Sequence, residues 1–351
     1  MSPTEELSAK AAQSDQYMRA HSPGLEEGIR VRRPDPIGSA ETVLRLEAAE
    51  SSLLGKLAAE LLPGPGERPD RYCEQAALLV AQLPAPVRAQ LRRFSLNGAP
   101  EGFLVVRNVP VDAEAPRAPA DETRHLGERT LVAGVQAIVG QAVGEMVGYE
   151  GEGEGRIFQD LVAAPDDEGE SGGPPARPRT ERAHSSLRPD FVSVACLSGR
   201  FVETTYALDA RTLLKALDHR EQALVREPLW TTRPPGSLDR DSETRLGPFP
   251  IIEGSDEDPF IRFDAKFDWG IVPEAERLRQ RIAEIYLQLR TSHTSIPGEL
   301  LLIDNRRAVF ERSVIDGGGD RFAMRACLVR DLARSRCARF GNGRVIGARF
   351  G

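Results

Sequence analysis

The sequence predicts an α+β chain that is mainly β, an antiparallel barrel or sandwich buttressed by helices. Short runs rich in β-branched and aromatic residues recur along it, among them "GFLVVRNVPV", "FPIIEG", "GELLLID" and "FAMRACLVRD". These runs do not alternate regularly with helices, so the parallel βα pattern is missing. Leucine- and alanine-rich stretches at helical spacing flank them, and no internal repeat is visible.

Residues 1–38 are polar and punctuated by Pro and Gly, and read as a flexible arm. A single domain with helical insertions is expected over residues 39–351. A helix is expected over Glu41–Leu62, forming an N-terminal helical extension, and a second near 72–94. "GFLVVRNVPV" is a buried strand closed by Pro110; 125–149 reads as an amphipathic helix despite its glycines; "GRIFQDLV" is a strand. The acidic, Gly/Pro-rich "AAPDDEGESGGPPARPR" is a long loop. Strands follow at about 190–197 and 201–207, then a helical stretch over "ARTLLKALDHREQALVRE". Further strands are "FPIIEG", "PFIRFDAKF", "GELLLID", "AVFERS" and "FAMRACLVRD", interrupted by the helix "EAERLRQRIAEIYLQL".

Composition removes several function classes. With 46 Lys+Arg against 53 Asp+Glu, the chain has no global basic field for nucleic acid. No apolar run approaches membrane-spanning length, and none at the N-terminus resembles a signal peptide. Cys73, Cys196, Cys327 and Cys337 lack CxxC spacing, so a reduced cytoplasmic protein without structural zinc is expected.

Six separated stretches carry a resemblance: "EGFLVVRNVPV", "GRIFQDLV", "RTERAHSSLRPDFVSVACL", "RFDAKFDWGIVPEAE", "GELLLIDNRRAVFERS" and "DRFAMRACLVRDLARSR". In order and spacing they resemble the clavaminate synthase-like branch of the TauD-type iron(II)/2-oxoglutarate oxygenases, which includes hydroxylases of arginine and related amino acids. The resemblance spans about 80–335. It implies a double-stranded β-helix, a jelly roll with its site between two sheets. It also implies iron held by His-x-Asp/Glu and a distal histidine.

On that alignment Arg179 stands at the first histidine, Glu181 at the carboxylate and Phe310 at the distal histidine. One donor of three remains, and Arg179 brings a permanent cation. The expectation is therefore no metal site, no iron(II) and no cofactor, with 2-oxoglutarate or another carboxylate retained only as a ligand. His184, three residues past Glu181, is a conceivable substitute ligand, although the family has an ordinary polar loop there. His21, His125, His219 and His293 fall away from the matched site. Arg325 matches the arginine that clamps 2-oxoglutarate, and Thr205 the threonine assisting it. Gln159 and Asp264 match positions lining the amino-acid pocket. Lys266, where many members carry a second acid, would partly neutralise Asp264. Arg312 matches the arginine after the distal histidine, and Phe310 would close one wall of the pocket.

Being one residue apart on an extended segment, Arg179 and Glu181 are expected to form an ion pair facing the pocket. Three readings follow. The preferred one is a degenerate, metal-independent enzyme using Glu181 as acid or base and Arg179 as anion stabiliser, acting on an amino-acid-like or natural-product intermediate. The second is a non-catalytic pseudo-oxygenase that binds a ligand or partner protein. The third is an active 2-oxoglutarate-dependent hydroxylase with atypical metal ligation.

Overall fold

The computed structural model describes residues 41–351 except 63, 115–124, 163–176, 199–203, 234–244, 267, 314–321, 340–342 and 348–351. The arm expected over 1–38 and most of the acidic loop lie outside the described residues.

The stretch expected as one helix over 41–62 begins instead as β1 (Val43–Arg45), parallel to β2 (Phe103–Arg107). Only then does α1 (Ala48–Ala59) start, at Glu47, whose N–H donates to Glu50 Oε2 at 2.9 Å. The helix expected near 72–94 is two, α2 (Pro69–Val80) and α3 (Ala85–Asn97). Pro84 and Pro86 explain the break, because proline is tolerated at a helix start and not inside one. The 125–149 helix shrinks to α4 (Leu131–Val143), and the chain continues as β3 (Glu145–Tyr149). Gly148 lies in β3 against the neighbouring backbone, where a Cβ would sit 1.9 Å from the Gly155 carbonyl oxygen.

Next come β4 (Gln159–Val162), β5 (Phe191–Ser198) and β6 (Thr204–Asp209). The helical stretch over 210–227 splits into α5 (Ala210–Ala216) and α6 (His219–Leu224), the second capped by Asp218 accepting from Glu221 N at 2.8 Å. Short strands follow: β7 (Trp230–Thr232), β8 (Leu246–Phe249), β9 (Ile252–Gly254), β10 (Pro259–Ile261) and β11 (Asp268–Gly270). After α7 (Pro273–Leu289) come β12 (Thr291–Thr294), β13 (Glu299–Asp304), β14 (Ala308–Ser313), β15 (Phe322–Val329) and β16 (Val345–Ile346). Strands of two to four residues, such as β7, β11, β12 and β16, which the sequence did not predict, are too short to show any period.

The major sheet runs β1-β2-β13-β5-β15-β3-β16, with β4 also paired to β15. The minor sheet runs β12-β6-β14, its pairs antiparallel. Residues 178–180 extend it beyond β14: Arg179 and Phe310 exchange backbone bonds of 3.0 and 2.9 Å. On the other side Thr180 N donates to Phe263 O at 2.8 Å and Ala265 N to Pro178 O at 3.1 Å.

Alternation along the strands gives each sheet an inner and an outer face. On the major sheet, Leu104, Val106, Leu300 and Leu302 join a core with residues of α1 to α4. On the minor sheet, Leu208 and Val309 pack with Leu213 of α5 and Ile282, Ile285 and Tyr286 of α7. Helices thus cover both outer faces and leave the inner faces to enclose a site. This is the expected double-stranded β-helix with flanking helices. Among the described residues no helix is long and apolar enough to cross a membrane.

Candidate active site between the sheets

Register assigns side chains to the inner face of the minor sheet. Directly opposed residues share a face. Thr205 pairs with Arg312 and His293, and Phe310 is two residues from Arg312 on β14. Arg179 opposes both Phe310 and Asp264 through isolated bridges. Arg179, Phe310, Arg312, Thr205 and Asp264 therefore line one inner surface, and His293, expected away from the site, shares it, buried with its Nε2 3.0 Å from Glu299 Oε2. Phe310 and Thr205 are fully buried, and Arg179 is half-buried.

Glu181 begins the turn after this ladder. Asn305 fixes its backbone: Glu181 N donates to Asn305 Oδ1 at 2.6 Å, and Asn305 Nδ2 donates to Glu181 O at 3.0 Å and Pro189 O at 2.7 Å. The asparagine of "LLLIDNRR" is thus a buried amide whose acceptor and donors are all used.

From the major sheet, Arg325 of β15 reaches the same point. Its Nη1 lies 3.0 Å from Glu181 Oε1, its Nη2 donates to Glu152 Oε2 at 3.1 Å, and its Nε donates to Gln159 Oε1 at 2.9 Å. Glu152 also pairs with Arg182, whose guanidinium lies 4.1 Å from the centre of the Tyr149 ring. The result is a line of alternating charge, Glu181–Arg325–Glu152–Arg182. Burial pushes the Glu181 carboxyl up, but Arg325, Arg179, Arg312 and Arg182 outweigh it and hold the group at about 2. Burial also opposes the charge on Arg325, and Glu181 and Glu152 keep it firmly protonated.

The ion pair expected between Arg179 and Glu181 does not form. Arg325 takes the carboxylate, since the chain turns after Thr180 and carries Glu181 toward β15; Arg179 acts on it only through its field. Lys266 is not among the residues lining the cavity beside Arg325; it is exposed, and its backbone N–H donates to Asp264 Oδ1 at 2.8 Å. His184 is buried rather than surface, its Nε2 without a hydrogen-bond partner. Burial, then Arg182 and Arg262, lowers it to about 4, so its imidazole is neutral at pH 7.

A cavity of about 270 Å³ opens beside Arg325, lined by His125, Glu152, Gly153, Gln159, Asp160, Leu161, Arg312 and Arg325. It lies just below the usual size range of ligand sites and carries charges of both signs. Gln159, Arg312 and Arg325 were expected here; Glu152 and His125 were not. Nothing in "YEGEGEGR" marks Glu152 as more than one acid of an exposed turn. His125, set aside as remote, is a lone histidine in a loop.

A jelly roll closing over an arginine and a carboxylate between its sheets agrees with the iron(II)/2-oxoglutarate oxygenase class that the sequence resembles. Comparison with known proteins narrows this. No family model matches the chain. It is 39% identical to an L-lysine 3-hydroxylase of Catenulispora acidiphila, over 90% of this chain and 91% of that protein. It is 29% identical to an L-asparagine oxygenase of Streptomyces coelicolor, over 86% and 94%. The solved structure of an asparagine oxygenase with Fe(II), 3-hydroxyasparagine and succinate superposes with a TM-score of 0.78 at 26% identity, covering 87% of this chain and 99% of that one. The chain belongs to the clavaminate synthase-like branch of the TauD-type iron(II)/2-oxoglutarate oxygenases, and it is an oxygenase-fold enzyme.

These relatives overturn the expectation of a degenerate, metal-independent enzyme without cofactor. They are hydroxylases and oxygenases, and one was solved with iron(II) and succinate. The side chains at the matched ligand positions still do not fit the family's metal set. Of Arg179, Glu181 and Phe310 only Glu181 is a donor, and Arg325 engages it. Among the described residues no three His, Cys, Asp or Glu side chains are grouped to hold a metal.

Proposed function

We propose that the chain is a 2-oxoglutarate-dependent hydroxylase of a free L-amino acid, with metal ligation that departs from the family's. The observation that supports it most is the 39% identity to an L-lysine 3-hydroxylase along nine-tenths of the chain. The cavity agrees with that substrate class. It is small, and its wall offers carboxylates at Glu152 and Asp160, guanidinium groups at Arg312 and Arg325, and an amide at Gln159. A zwitterion of amino-acid size meets complementary charge there, whereas a purely anionic or apolar ligand would leave part of the wall unmatched.

Arg325 is the carboxylate anchor in this reading, with Thr205 and Arg312 beside it on the facing sheet. Its donors already have protein acceptors in Glu181, Glu152 and Gln159. A carboxylate cosubstrate must therefore share or displace one of them. Because the residues at positions 179 and 310 do not fit iron(II), no step is routed through it.

The test joins two measurements. Iron(II) is titrated into the protein under nitrogen, and succinate formation is then followed in air with 2-oxoglutarate and a panel of free L-amino acids. Iron(II) binding with succinate formed only when one amino acid is present is the expected result. Neither iron(II) binding nor amino-acid-dependent succinate overturns the proposal.

A further inference from the structure

We propose that His125 is a specificity-determining residue of the cavity, hydrogen-bonding a polar group on the side chain of the amino acid that binds there. The inference rests on the amino-acid reading given above and deepens it. His125 lines the cavity with Gln159, Arg312 and Arg325, and only 9% of it is exposed. Neither Nδ1 nor Nε2 has a hydrogen-bond partner; the nearest charged group is Glu154, with Oε2 3.6 Å from Nε2. Two orphaned polar atoms on one buried ring are costly, and a protein that keeps them has a use for their hydrogen-bonding capacity.

The backbone supports the same conclusion. His125 has φ of 48°, in the left-handed region that residues other than Gly enter at a cost, His with Asn and Asp being the types found there most often. No hydrogen bond of its own side chain offsets that cost. Strain of this kind, held at a cavity wall, is characteristic of residues that serve a ligand. The remaining polar wall is already committed: Gln159 Oε1 and Glu152 to Arg325, and Asp160 to the Gly127 N–H at 3.2 Å. His125 is thus a wall group with both polar atoms still open. An imidazole beside carboxylates can donate from one nitrogen and accept at the other, which suits the polar end of a lysine-, asparagine- or arginine-like side chain.

Binding of L-lysine, L-asparagine and L-arginine is measured calorimetrically on the full chain with iron(II) and 2-oxoglutarate under nitrogen. Wild type is compared with His125→Gly, His125→Phe and His125→Asn. Glycine relieves the strained backbone, so that variant folds even if the phenylalanine one does not. Wild type is expected to prefer one of the three ligands, and glycine and phenylalanine to weaken that ligand about tenfold. Asparagine keeps the backbone and a hydrogen-bonding group, so it should restore part of the affinity and change the ranking of the ligands. A merely structural role would lower all three alike. Unchanged affinity and ranking in the glycine variant overturns the role of His125 while leaving the amino-acid reading intact. A wild type that binds none of the three overturns both.

Discussion

Replacing Glu181 by glutamine removes one negative charge from the crossing point of the two sheets while keeping size, shape and an acceptor for Arg325. Arg325, Arg179, Arg312 and Arg182 then face a neutral amide, and Glu152 remains paired with Arg325 and Arg182. The carboxyl of Glu181 is held at about 2 against an ordinary 4.5. Such a depression corresponds to roughly 3 kcal/mol of stability at neutral pH. Breaking a buried pair outright costs about 3–5 kcal/mol, and the retained hydrogen bond places glutamine at the lower end. Since the folded value is depressed, the contribution is present in full above the unfolded value. It is lost as pH falls from about 4.5 toward 2. Denaturant unfolding of wild type and Glu181→Gln, at neutral pH and in steps below pH 5, reads both effects. A variant within about 0.5 kcal/mol of wild type at pH 7, as for ordinary surface changes, would refute the reasoning. So would a deficit that persists unchanged into acid.

Asn305→Ala should cost about 2–3 kcal/mol in the same assay, because it strands the Glu181 and Pro189 backbone groups that the amide satisfies. Asp268 is raised from an ordinary 3.8 to about 7, chiefly by burial, so the native state keeps a proton that the unfolded chain has lost, and stability falls as pH rises from about 4 to 7 and is flat above. Asp268→Asn should accordingly flatten the decline over that window in thermal melts. Arg179→His combined with Phe310→His sets two imidazoles beside Glu181, and iron(II) titration should show tighter binding than in wild type. Equal affinities would mean that the ligands lie elsewhere.

The long strands were legible because burial on both faces writes continuous apolar runs into "GELLLID" and "FAMRACLVRD". The helix boundaries were not. Over 41–62 the leucines and alanines read as helical, but an open edge of β2 takes Val43–Arg45 as a strand, and only tertiary context supplies that edge. The 125–149 stretch misled for a related reason: Gly144 ends the helix, and β3 then pairs with β15, a partner distant in sequence. At the site, the resemblance grouped Glu181, Gln159, Arg312 and Arg325, and the fold brings Gln159, Arg312 and Arg325 to one cavity with Glu181 paired to Arg325. It did not group His125 and Glu152 with them, since each lies in a turn whose direction no periodicity encodes.

The ladder around Arg179 has a consequence for how such a site changes over time. Peptide groups hold residues 178–180 between β14 and 263–265, joined by the Thr180 hydroxyl, which bonds the Phe263 backbone at 3.3 Å. Every residue type but proline brings the same N–H and C=O to those bonds. Where positions 179 and 310 sit is thus specified separately from what they carry. A lineage can exchange the side chains there one at a time, each intermediate still folding, and so explore new chemistry at a fixed address.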